Sequence, residues 1–169
     1  MTHSFTIHQL SLNKNTFHSL FIGIEKTQYI WKPSREKWSL LEALCHLYDE
    51  EREDFRARVK HTLETPALPF PKIDPPGWVT ERKYAEWNYE ETLQKFLDER
   101  EQSIKWLTTL VNPQWTNIHH HPKLGELSAE MFLVTWLAHD YLHFRQITKL
   151  KYDFLKHNNK VRFDYAGDW

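Results

Sequence analysis

Glycine is scarce in this sequence, 4 residues of 169, against the roughly 7% that soluble proteins average. Few glycines mean few tight turns, which favours a small number of long helices. Cysteine is nearly absent too. With Cys45 alone, no intrachain disulfide can form, and a reducing, cytoplasmic setting is expected. Long apolar runs are missing: stretches such as Met131 to Val134 fall far short of the roughly 18 residues of a membrane span, so no membrane partner is expected. The opening residues hold no basic stretch followed by an apolar one, so no secretory signal is expected. Nor is there an excess of positive charge. Lys and Arg number 22 against 23 Asp and Glu, for a net charge of −1. Without a basic balance or stripe, nucleic acid is set aside as the main partner.

What remains is a soluble, globular composition, 40% hydrophobic and 27% charged, with 8 Trp, 7 Tyr and 10 Phe. The length fits one domain spanning residues 1–169, large enough to build a core without metal or disulfide staples. Four segments carry apolar residues at steps of three and four. The first runs from about Ile7 to Ile24. The second follows Ser39 to about Leu63, and Ser39 with Glu42 reads as a capping box. The third begins near Asn88, which has cap spacing to Glu91. The fourth runs from near Ser128 to about His157, with Asn158 and Asn159 as stop residues. No run alternates as a strand would. The fold class expected is an all-α four-helix bundle.

The connections differ in length. Between the second and third helices lie Thr65 to Trp87, with Pro66, Pro69, Pro71, Pro75 and Pro76. Helices are not expected to run through this stretch. A link this long suits a crossover that lets two consecutive helices run parallel.

The fourth helix is the most informative. Phe132, Trp136, His139, His143, Gln146 and Leu150 share one face. Two histidines and a glutamine thus stand where an inward seam should be apolar, and buried polar groups need partners. Histidines at i and i+4 point the same way, so one ion can take both imidazoles. Core histidines bonded to other side chains are the competing reading. On the second helix Glu42, His46, Asp49 and Glu53 form a stripe. Glu42 and Glu53 read as a solvated acidic face. His46 stands apart as the third imidazole of an open three-histidine site. Asp49, one turn away, is placed to orient that imidazole or to take a proton. Gln146 is a second supporting candidate. Cys45 and Asp140 point away from these faces and read as structural. His119, His120 and His121 read as a solvated loop, with the alternative that this loop and the Pro66–Pro76 loop wall the substrate site.

Trp38-Ser39-Leu40-Leu41-Glu42, then His46-Leu47 and Asp49, resembles the first motif of the DinB/YfiT-like family. His139-Asp140, His143 and Gln146-Ile147 resemble its second. The order, the separation and the long second connection fit as well, so the resemblance covers nearly the whole chain. It implies an up-down-down-up bundle with one divalent metal, zinc or nickel, held by His46, His139 and His143. Relatives include enzymes that transfer or use a low-molecular-weight thiol and others called metal-dependent hydrolases. The resemblance favours transfer of a thiol to a small electrophilic substrate, with hydrolysis as the alternative. A non-catalytic bundle, dimeric through an apolar fourth helix around Leu133, Leu137, Tyr141 and Phe144, is the reading from another class; a homodimer is expected in either case. A di-iron carboxylate bundle is disfavoured, because no Glu is followed three residues later by His.

Overall fold

The computed structural model describes residues 2–167; residues 1, 168 and 169, the ends of the expected domain, lie outside the described residues. Helix α1 spans His3–Phe21, with Thr2 accepting from the Phe5 N–H. A one-turn helix, α2 (Lys26–Tyr29), follows. The second long segment is a single rod built of α3 (Leu40–Asp49), a π-helical turn (Glu50–Phe55) and α4 (Arg56–Glu64). Its start is fixed by both bonds of the Ser39–Glu42 capping box. After the short α5 (Pro75–Glu81) come α6 (Tyr89–Thr109), capped by Asn88, and α7 (Ala129–His157), capped by Ser128. In each cap a side-chain oxygen takes a backbone N–H that the first turn leaves without a partner.

Cross-links between the helices give their directions. Along α1 and α7, His3 reaches Glu130, Asn13 reaches Asp140 and the Leu20 carbonyl accepts from Lys151, so these helices run parallel. Along α1 and α6, Lys14 meets Glu101 while Tyr89 donates to the Phe21 carbonyl, so these run antiparallel. Glu51 meets Arg100, and Arg56 meets Glu99 and Ser103, so the rod is parallel to α6. Against α7 the rod is antiparallel, with His46 beside His143 and Glu51 bonded to Trp136. The order is up, down, down, up, and the long connection from residue 65 to residue 88 is the crossover that parallel neighbours require.

Two apolar clusters fill the bundle. One holds Phe17, Phe21, Leu44, Phe96 and Ile147; the other holds Leu10, Val59, Leu107, Leu133 and Trp136. Each long helix places a polar residue between its contributions to the two: Asn13, Glu51, Arg100 and Asp140, all buried. Arg100 makes a bidentate pair with Asp140 at 2.7 and 2.8 Å and reaches Glu51 at 2.9 Å. Asn13 also donates to Asp140, and the Trp136 indole N–H donates to Glu51. This layer ties all four helices together at mid-height.

Several expectations need correction. The first helix begins at His3, not Ile7, and ends at Phe21. The crossover is not free of helix. Pro75 and Pro76 begin α5, because the first turn has no use for their missing N–H groups, and Asp74 caps it. Strands are present: β1 (Ile118–His121) pairs antiparallel with β2 (Gly125–Ser128). Glu42 is buried, not solvated, because Lys32 from the preceding connection reaches it at 2.6 Å while it closes the cap. Glu53 is partly buried against Arg82. On α7, Leu133 and Leu137 are spent on the core, while Val134, Tyr141 and Leu142 stay exposed. Among the described residues, no helix is long and apolar enough to cross a membrane.

Candidate metal centre

His46 lies in the second turn of α3, where the capping box has fixed the helix phase. His139 and His143 lie one turn apart on the facing side of α7. Antiparallel packing puts the three rings together: His46 is 5.6 Å from His139 and 5.1 Å from His143, ring centre to ring centre. The last two are 4.3 Å apart. Each ring offers one nitrogen such that all three nitrogens lie within 4.8 Å of one another. The Nε2 atoms of His139 and His143 are 3.0 Å apart. Two nitrogens bound tetrahedrally to one zinc stand roughly 3.3 Å apart, given Zn–N bonds of about 2.0–2.1 Å. Trp38 packs on His46 at 4.7 Å and Phe55 on His139 at 4.8 Å, so aromatic rings wall the cluster on two sides.

This environment holds the imidazoles neutral. Burial, and then the nearby His143, push His46 down to about 3. Burial, then His143, His46 and Arg100, push His139 down to about 2. Burial pushes His143 down to about 4, although the Gln146 side chain and Asp140 favour its charged form. Neutral imidazole is the form that binds a metal ion. Two buried ring nitrogens, Nδ1 of His46 and Nδ1 of His143, have no hydrogen-bond partner. An orphaned polar atom at this depth costs about 1–3 kcal/mol unless something else occupies it. Three neutral nitrogens converging within ligand range, on rings that carry two unsatisfied buried atoms, fit a divalent cation.

A fourth group stands beside them that the sequence analysis missed. The Glu50 carboxylate lies 3.3 Å from His139 Nε2 and is buried. Burial, then Asp54, raises its carboxyl to about 8, with Arg58 opposing. Arg58 itself bonds Asp54 at 2.9 Å and lies over the Phe70 ring at 4.2 Å. The signal was available, since Glu50 follows His46 by four residues and so shares its face. It also opens the π-helical turn, a feature frequent at functional sites.

The other candidates fall as follows. Asp49 does not join the cluster's open side: Tyr84, Arg52 and Arg82 take its oxygens at 2.7, 2.8 and 2.6 Å. It touches His46 only through a weak electrostatic pull. Gln146 is half-buried and acts on the His143 ring. Cys45 is fully buried, and burial drives its thiol pKa up, away from reactivity. Asp140 belongs to the Arg100 layer. The three consecutive histidines are not a solvated loop. They form β1, where alternation turns His119 inward. Its Nδ1 is 2.9 Å from the Pro66 carbonyl, and its ring lies against Phe70 at 3.8 Å.

A family model, the DinB superfamily, matches residues 9–147. The chain belongs to the DinB superfamily. Among solved structures it is similar to YfiT from Bacillus subtilis, at 17% identity with a TM-score of 0.79 over 90% of this chain and 87% of that one. That protein is described as a probable metal-dependent hydrolase with an unusual four-helix bundle topology. The likeness shows a shared DinB-type fold. No curated protein matches the sequence.

Proposed function

We propose that this DinB-superfamily protein is a metal-dependent enzyme of hydrolytic type. His46, His139 and His143 hold one divalent cation, zinc or nickel, both of which imidazole suits, and Glu50 handles the proton of the attacking water. One observation carries the reading. A buried carboxylate stands 3.3 Å from one of three converging neutral imidazoles, and among the described residues no Lys or Arg is bonded to it.

A cation held there supplies Lewis acidity and lowers the pKa of a water or thiol at its free position. The remaining work falls to the chain. The three imidazoles stay unprotonated at neutral pH and offer nitrogens without rearrangement. Gln146 orients the His143 ring. Trp38 and Phe55 keep bulk water from two of the three ligands. Beside a cation the Glu50 carboxyl, which burial and Asp54 raise to about 8, favours its ionised form; the carboxylate then accepts a proton and returns it to the leaving group. Water needs such an acceptor more than a thiol does, because a thiol ionises far more readily. That difference places hydrolysis ahead of thiol transfer. The description of YfiT supports the same order.

Elemental analysis of untagged protein tests the first half, with about one ion per chain expected and none in His139→Ala. Ester substrates test the second half. Glu50→Gln should keep the ion and lose about 10²–10⁴-fold in turnover, the usual worth of a general base. Metal-dependent consumption of a thiol without ester turnover would shift the assignment to thiol transfer. Silence toward both would leave the non-catalytic bundle. Undiminished metal content in the triple alanine variant would move the site elsewhere.

A further inference from the structure

From His46 a row of residues at four-residue steps runs down the rod: Glu50, Asp54, Arg58. Arg58 donates to Asp54 at 2.9 Å, and both, one and two steps below Glu50, line a cleft of about 640 Å³. That volume lies within the range of small-molecule sites. The cleft is roofed by the two connections that the bundle could have left loose. The proline-rich stretch brings Phe70, Lys72 and Ile73; the β-hairpin brings His121, Lys123 and Leu124. The roof is fastened: His119 stacks on Phe70 and meets the Pro66 carbonyl, and Asn117 donates to the Leu63 carbonyl. Phe132, on the α7 face that also carries His139, packs edge-on against Phe70 and closes the floor.

The lining has two characters. Phe70, Ile73, Leu127 and Phe132 make apolar walls. The charges are Arg58, Lys72 and Lys123 against a single carboxylate, Asp54. Arg58 spends its Nε on Asp54, and its buried Nη1 has no partner. His121 accepts the backbone N–H groups of Lys123 and Leu124 on Nδ1. Its ring proton therefore sits on Nε2, where it is free to donate.

We infer that this cleft binds the substrate of the histidine centre, and that the substrate is a small organic anion with an apolar body. The anionic group sits at Lys72 and Lys123, and the apolar body lies between Phe70 and Phe132. The reactive end is directed along the Glu50 row toward His139. The inference rests on the histidine cluster being the reacting end. The cleft itself needs no ion, and that separates the two claims.

The test is backbone-amide NMR titration of the full chain, as purified and after chelation. The probes are 4-phenylbutyrate, its neutral analogue 4-phenylbutanamide, and inorganic phosphate. Expected are saturable shifts confined to residues 70–73, 121–127 and the turn around Phe132, with the same Kd before and after chelation. The amide and phosphate should each bind more weakly than phenylbutyrate. Lys72→Ala combined with Lys123→Ala should weaken phenylbutyrate by roughly tenfold, the worth of two exposed charge contacts, and leave the amide unchanged. Added salt should weaken phenylbutyrate alone. Equal binding of acid and amide would overturn the anion preference. Failure of phenylbutyrate to bind, or shifts elsewhere on the bundle, would overturn the cleft. Loss of phenylbutyrate binding on chelation would also overturn it, by placing the anion on the metal, while leaving the metal reading intact.

Discussion

Two buried polar clusters lie side by side in this bundle, and they are finished to different degrees. Around Arg100 each charged side chain meets one of opposite sign within the chain, and only Arg100 Nε and Glu51 Oε1 are left without a hydrogen bond. The guanidinium meets Asp140 and Glu51, and Asn13 and Trp136 supply further hydrogen bonds. Around His139 the balance does not close. Three neutral imidazoles and a buried carboxyl group share the space, and two buried ring nitrogens lack a hydrogen-bond partner. A cluster that completes itself holds helices together. A cluster whose imidazoles and carboxyl group bond no cation among the described residues is built to take one from outside.

The contrast breaks most severely if the finished cluster is opened. Arg100→Met leaves Asp140 and Glu51 buried without their cation and should destabilise the protein by about 3–5 kcal/mol, measured by urea unfolding. Acid attacks the unfinished cluster. In metal-free protein the histidines have folded pKa values near 2 to 4, below their unfolded value. The unfolded chain therefore binds more protons. The histidine share of stability is full above about pH 6.5 and falls below it, by on the order of 1 kcal/mol per pH unit for each histidine. Glu50 works in the opposite sense: its folded carboxyl is raised to about 8, so its share is lost as pH rises from about 4.5 toward 8. Urea midpoints from pH 5 to 8 would show the histidine fall on the acid side; a flat acid limb would mean that the rings are not buried neutral. Next in size is metal itself. Zinc or nickel at a hundredfold excess over Kd should add about 2.7 kcal/mol, read as a rise in Tm that a chelator reverses and that His143→Ala abolishes. Arg100→Met should keep that metal-induced increment if it still folds. The smallest effect belongs to Asn13→Ala, which removes one neutral donor from Asp140 and should cost about 1 kcal/mol without changing metal content.

Much of this was legible in the sequence because helical periodicity converts spacing into facing. The histidines of α7 declared themselves by interrupting an apolar seam, and Ser39 with Glu42 fixed the phase that turns His46 toward them. The parts that escaped depend on distant residues. Asp49 looked free beside His46 because its partners Arg82 and Tyr84 enter from within the crossover. Glu42 looked solvated for the same reason, with Lys32 arriving from the connection before α3. The hairpin was invisible because two four-residue strands of mostly polar residues carry too little alternation, and only the paired His119 and Leu127 mark an inside. Glu50 was passed over in favour of Asp49, although four residues match a helical turn as well as three do.

The widened turn at Glu50–Phe55 makes the rod a shaft with an offset coupling. Residues above it are indexed to the histidines, and residues below it, Arg58 among them, to the cleft. Rewinding the six residues of this turn as ordinary α-helix, with none removed, would rotate the lower half by roughly 100° relative to the upper. The two ends of the site could then each fold correctly and still no longer face the same molecule. Alignment between the reacting end and the holding end is thus stored in the winding of this one turn.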